Sequence, residues 1–272
     1  MSRIKGWPLT FALAAVFALC VGPFYWLAIA ATHSNSDIFS WPPKFYPGGH
    51  LLDNLATLES SIGLGRVLGN TVLVAAVQSV IAIVVSLLAG YAFAKFDFRG
   101  KNVFFVLLLS TLVIPSGVTI IPIFEMMNDL GLIDSYSSLI LPNLSVPFGI
   151  FLMRQSLLAV PDELLDAARV DGAGELRVLW RVVVPVMRPA LAALAVFLFL
   201  GAWNDFLWPL IALRTPEMYT LPVALASLQS VAKTDYGQVM MGTAISSLPM
   251  MILFLVLQRQ FISGLLAGAT KG

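Results

Sequence analysis

Residues 162–185 read DELLDAARVDGAGELRVLWRVVVP, and eight of these 24 residues are charged. The chain around them is greasy: 11% of its residues are charged, 58% are hydrophobic, and its mean hydropathy is +0.88. Pro161 suits a first helical position, and Asp162 and Glu163 favour the positive end of a helix dipole. Leu164, Leu165, Ala167 and Ala168 continue a short helix with a small-residue face, and Gly172 with Gly174 offers the turn that ends it. A second helix, Glu175 to Val184, is expected to stop at Pro185. The acids Asp162, Glu163, Asp166, Asp171 and Glu175 have no His, Cys or Ser nucleophile near them, so the island does not read as catalytic. Two readings remain from the residues alone, a knob that enters a groove on a soluble partner or a solvated connector.

Outward from the island the chain is built of apolar runs. Its hydrophobic fraction lies above the roughly 45–50% of soluble domains, which makes a membrane protein the expectation. Six segments are long enough to cross a hydrocarbon core, at about 7–31, 70–94, 103–124, 137–158, 186–211 and 238–258. The first contains Ala28-Ile29-Ala30, which resembles a signal-peptide cleavage site, yet its apolar stretch exceeds the roughly 7–15 residues of such a peptide and reads as a retained anchor. Twelve of the sixteen basic residues then fall on one set of ends, the island included, and four on the other (Lys44, Arg66, Arg214, Lys233). The positive-inside rule puts both termini and the island in the cytoplasm. Net charge is +1, so nothing points to nucleic acid. The single cysteine, Cys20, reads as a packing residue, and the two histidines, His33 and His50, form no metal-binding spacing.

Three of the spans carry unusual residues. The third contains Pro115, Gly117 and Pro122, and the fourth Pro142, Asn143, Pro147 and Gly149. Proline opens a helix, which lipid tolerates only where protein or water satisfies the freed backbone groups, so these helices should face a pathway or a partner helix; a simple packing kink is the alternative reading for any single proline. The fifth carries Gly201-Ala-Trp-Asn-Asp-Phe-Leu-Trp-Pro209. A carboxylate within a span marks a cavity or substrate route by default, and otherwise a brace for backbone groups; both readings apply to Asp205. Thr32 to Gly69 reads as a turn-rich external loop with one short surface helix over HLLDNLATLES.

The spacing Asp166-Ala167-Ala168, three residues, Gly172, nine residues, Val182-x-Val184-Pro185 resembles the EAA loop of ATP-binding-cassette importer permeases, Glu-Ala-Ala-x3-Gly-x9-Ile-x-Leu-Pro. GYAFAKFDFRGK, VIPSGVTIIPIF, LGLIDSYSSLILP, WNDFLWP, YTLPVAL and the terminal FISGLLAGATKG are similar to carbohydrate-importer permeases, above all the maltose-type (MalG-like) subunit. The resemblance runs from about residue 64 to the end. It implies an all-α integral membrane protein of the type I importer fold, with six transmembrane helices and a cytoplasmic coupling helix between spans four and five. Residues 1–65 would hold the first helix and an extracytoplasmic loop, and 66–272 the core permease with its coupling loop at 161–185. It further implies a second permease subunit, two ATP-binding subunits and an extracytoplasmic sugar-binding protein, with ATP and magnesium on the partner subunits and no cofactor on this one. By the same resemblance Asp166, Ala167, Ala168, Asp171, Gly172 and Pro185 belong to the coupling loop, and Lys271 and Gly272 to a tail reaching between the ATP-binding subunits. Asn204, Asp205 and Trp208 are the substrate-route candidates, since sugars favour aromatic faces and hydrogen-bonding groups.

The sequence thus reads as the non-catalytic permease subunit of an ATP-driven sugar importer, with glycerol phosphate or polyamine as alternative cargo. An ion-coupled carrier would need embedded ionisable residues and commonly repeated halves. A membrane scaffold would not need kinked spans or a coupling loop.

Overall fold

A computed structural model describes residues 6–229 and 234–269, with side chains as far as 256 except those of residues 6 and 116. In chain order the helices are α1 (Gly6–Ala30), α2 (Asn35–Ile38), α3 (Leu51–Ile62), α4 (Leu64–Lys95), α5 (Lys101–Ser110), α6 (Ser116–Asp129) and α7 (Tyr136–Ile140). They continue with α8 (Pro147–Leu158), α9 (Asp162–Val170), α10 (Glu175–Val186), α11 (Arg188–Trp203), α12 (Leu207–Ala212), α13 (Leu221–Ser227) and α14 (Tyr236–Ala269). No strand occurs among the described residues. Trp7–Ala30, Leu64–Lys95 and Tyr236–Val256 are each long and apolar enough to cross a membrane. Three bent pairs meet that criterion jointly, with their breaks near Pro115, near Pro147 and at Met187.

Proline chemistry explains the breaks. A residue before proline is pushed out of the helical region, and Ile114 (ψ 118°) and Val146 (ψ 106°) are both extended ahead of Pro115 and Pro147. Pro147 then occupies the first position of α8, where its missing N–H leaves nothing unpaired. The expected stop of the island's second helix at Pro185 does not occur. The helix runs through Pro185 to Val186, with a wider π turn at Leu179–Val183 just ahead of the ring, where a regular turn would clash with it. It breaks instead at Met187, and α11 leaves at 84°. Pro189 has no N–H to offer the Pro185 carbonyl, so continuing the same helix would lose a bond there.

By contact the chain forms two units, one from the segments up to Val67 and from Leu221 to Met250, the other from Leu68 to Thr220 and from Met251 onward. In the first unit, α1 is exposed along residues 7–25, so Cys20, expected to pack, is exposed. The segment read as an external loop is shorter than expected because α4 begins at Leu64. Its helix α3 buries Asn54 and Leu58 and turns Leu52 outward. Asn54 donates to the Ala31 and His33 carbonyls at 2.8 and 2.9 Å, and Asn35 caps α14 by accepting the Tyr236 N–H at 2.7 Å.

The second unit has two apolar cores. One joins Leu87 and Tyr91 of α4, Met153 and Leu157 of α8, Leu165 of α9, Val178, Leu179 and Val183 of α10, and Leu194 and Leu198 of α11. The other joins Val74, Met127, Leu139, Trp208, Ala212 and Leu213. Helices α4 and α8 touch through small residues: a Cβ on Gly90 would lie 2.6 Å from Met153 Cβ, and one on Gly149 would lie 2.5 Å from Ser86 Oγ. Such spacing, Ser86 and Gly90 against Gly149 and Met153, is how membrane helices bring their backbones close.

Candidate functional site: a cleft and a charged knob

The WNDF segment breaks a helix rather than lying inside one. Helix α11 ends at Trp203, Asn204 to Phe206 are irregular, and α12 restarts at Leu207. A cleft of about 390 Å3 opens beside the break, lined by Gln78, Thr119, Asn143, Phe197, Asp205 and Trp208 among others. Among the lining residues there is no Lys, Arg or His. The three route candidates separate here. Asp205 and Trp208 line the cleft, whereas Asn204 is exposed, is not part of the lining, and donates its amide to the Leu200 carbonyl at 2.9 Å. Asp205 accepts the backbone N–H groups of Phe206 and Trp208, so the carboxylate braces the restart of the helix while lining the cleft. Trp208 gives the cleft its ring, since its indole N–H is already donated to the Ser138 carbonyl at 2.9 Å.

That tether is one of several long-range polar links in this unit, which the sequence reading missed. Tyr136 donates to Asn70 Oδ1 at 2.6 Å, and Asn70 donates to the Glu217 and Tyr219 carbonyls at 2.9 and 3.0 Å. Asp134, at φ 62°, accepts the backbone N–H groups of Arg214 and Thr215 at 2.9 and 3.0 Å and the Thr215 hydroxyl. These donors, the Thr215 hydroxyl foremost, hold the Asp134 carboxyl below its ordinary value.

The island is a two-helix knob. Pro161 lies one position before α9 rather than at its first residue. Gly172 has φ +81°, its N–H reaches the Arg169 carbonyl at 2.9 Å, and the Ala173 N–H reaches the Ala168 carbonyl at 3.0 Å. These are the paired bonds of a Schellman ending. Asp166, Ala167, Asp171 and Gly172 are exposed, and so is Pro185 within α10. Ala168 is half-buried and packs against the unit's own core, so one alanine of the motif meets solvent and the other the core. Val170 and Leu176 are apolar yet 88% and 68% exposed on this charged element. Lys271 and Gly272 lie outside the described residues.

Ion pairs clasp the knob to the end of α4. Lys95 Nζ donates to the Val160 carbonyl and to Asp162 Oδ1, both at 2.6 Å. Arg169 donates to both Glu175 oxygens, at 2.8 and 3.3 Å, and to Asp166 at 2.9 Å, while Tyr91 donates to Glu175 at 2.9 Å. The Lys95 ammonium lowers the Asp162 pKa, and the Arg169 guanidinium lowers that of Glu175. A run of acids on the island signals basic partners, but nothing local names residues 84 and 67 positions upstream. Among the described residues no group of three or more His, Cys, Asp or Glu is placed to hold a metal ion.

Comparison with known proteins agrees with this architecture. The chain is 37% identical to the arabinooligosaccharides transport system permease protein AraQ of Halalkalibacterium halodurans, over all of this chain and 98% of that one. It is 36% identical to the sn-glycerol-3-phosphate transport system permease protein UgpE of Yersinia pestis, over 91% of each chain. A crystal structure of a bacterial ABC transporter involved in the import of the acidic polysaccharide alginate superposes with a TM-score of 0.83 at 25% identity, covering 95% of this chain and 98% of that one. Residues 82–267, which hold the end of α4, the knob and the break beside the cleft, match the family of binding-protein-dependent transport system inner membrane components, and the chain belongs to that family.

Proposed function

We propose that this chain is the membrane-spanning permease subunit of an ATP-driven, binding-protein-dependent importer of oligo- or disaccharides. It forms half of the translocation pathway, pairs with a second permease subunit, and works with two ATP-binding subunits and an extracytoplasmic sugar-binding protein. Six spans result, three from the long helices α1, α4 and α14, two from the bent pairs broken near Pro115 and Pro147, and one from α11 with α12, with both termini and the α9–α10 knob cytoplasmic. The α9–α10 knob is the coupling helix, and Asp166, Ala167, Asp171 and Gly172 present it to an ATP-binding subunit. ATP and magnesium bind there, not here.

The observation that carries the substrate class is the cleft. Aromatic Phe197 and Trp208 stand with the hydrogen-bonding side chains of Gln78, Thr119 and Asn143, and the one ionisable lining residue is the acid Asp205. A sugar is bound by ring faces and neutral or acidic polar groups, whereas a phosphate in a membrane needs cationic partners. The relative named for sn-glycerol 3-phosphate favours the second reading, phosphate-ester import. Uptake of labelled arabinotriose, lactose and sn-glycerol 3-phosphate by the assembled importer, in a host lacking these systems, separates the two. Saccharide uptake that falls in Gln78→Ala and Asn143→Ala variants is expected. Uptake of the phosphate ester alone would overturn the sugar reading.

A further inference from the structure

We propose that the last turns of α4 are the strut that carries knob movement to the cleft, with Tyr91 and Lys95 as its positioning residues; this rests on the importer reading above. Helix α4 runs from Leu64 to Lys95 without a proline or a break. Gln78 lines the cleft, and Tyr91 and Lys95 follow it by 13 and 17 residues, roughly 20 and 26 Å at helical rise. One stiff rod therefore touches both places.

Its grip on the knob is two-sided. Lys95 holds the start of α9 through Asp162 and the preceding Val160 carbonyl, and its side chain is only 6% exposed. Tyr91 holds the start of α10 through Glu175, which Arg169 ties back to α9. Both helices flanking the Gly172 turn are thereby fixed to α4, and Leu87, Tyr91, Leu165, Val178 and Leu179 share one apolar core beneath them. Movement at the knob has little slack to vanish into. The covalent route from knob to cleft is softer, since α10 and α11 meet at an 84° bend and the chain breaks again at Asn204–Phe206. Helix α8 is pressed on α4 at Gly90 and Gly149, so it moves with the strut, while its own junction with the preceding helix is a 44° bend.

The test reads the cleft while the knob is driven. In a Cys20→Ser background, Gln78→Cys provides a lone thiol in the cleft of the assembled importer. Its labelling by a membrane-impermeant maleimide is compared without nucleotide and after trapping with Mg-ATP and vanadate. The parent should show a nucleotide-dependent change in labelling rate. Lys95→Met with Tyr91→Phe, close to isosteric, should lose that change while the ATP-binding subunit still co-purifies, and Lys95→Arg should keep it. Persistence of the change in the double variant overturns the strut, as does loss of the ATP-binding subunit, which would make the two residues docking elements. No change even in the parent removes the cleft from the pathway, and the sugar-route reading falls with the strut.

Discussion

Replacing Gly172 separates backbone geometry from contact. Its φ of +81° is left-handed, and beyond its two chain neighbours no atom lies within 4 Å of where a Cβ would be added. Substitution therefore causes no clash within the chain; the cost is backbone strain, about 1–2 kcal/mol for an ordinary residue and up to about 3 for a β-branched one. Loss of glycine's freedom in the unfolded chain returns about 0.4–1 kcal/mol. The net, up to about 1.6 kcal/mol for alanine and up to about 2.6 for valine, shifts the properly ended knob against frayed forms by up to roughly 15-fold and 80-fold. A nine-residue helix such as α9 has little independent stability to resist this. Asparagine tolerates the left-handed region, so the order of function should be Gly, then Asn, then Ala, then Val. Co-purification of the ATP-binding subunit, and its ATP hydrolysis in the assembled importer, measure the series. Valine indistinguishable from glycine refutes the argument, and asparagine as poor as valine would show that side-chain volume at an interface, not backbone conformation, decides.

Ala167→Trp and Ala168→Trp should fail differently. The first should leave the chain folded and lose the ATP-binding subunit, and the second, facing the core, should lower the chain's own thermal stability, as protease resistance of the purified protein would report. Gly90→Val drives a Cβ against the Met153 Cβ and the Arg154 backbone, and should destabilise the protein by about 1–3 kcal/mol or prevent folding, read as loss of folded material on size exclusion. Asp134→Ala removes the acceptor for Arg214 and Thr215 and should speed amide exchange across 212–219, with Asp134→Asn milder because it tolerates positive φ. Because the folded-state pKa of Asp134 is depressed below 3.8, its stabilisation is present above that value and is lost as pH falls through the depressed one; the alanine variant should lack this acid-dependent step.

The apolar runs and the knob were legible because both rest on local rules. Hydrophobic length marks spans, and a glycine after a short amphipathic helix marks a Schellman turn. Prolines located two of the breaks, through the restriction on the residue before each ring. Pro185 misled, since a π turn upstream lets the helix carry the ring and the break waits for Pro189, where a second donor is missing. The cleft was half legible: Asp205 and Trp208 stood out as polar and aromatic groups in a span, but the break at Asn204–Phe206, which leaves Asn204 exposed and off the cleft, has no proline or glycine at its centre. The clasp of Tyr91 and Lys95, the Trp208–Ser138 tether and the Asp134 knot join residues 65–84 positions apart. Such pairs arise from tertiary packing and leave no periodic mark.

The central claim is that the knob couples this chain to an ATP-binding subunit. A photo-reactive benzoylphenylalanine at Val170, 88% exposed at the tip of α9, tests it within the assembled complex, with products identified by mass spectrometry. The account predicts a cross-link to the ATP-binding subunit, lost when the probe is moved to Leu52 on the outward face of α3. A probe at Val170 that reacts only with lipid or solvent, while the ATP-binding subunit remains in the complex, would contradict it.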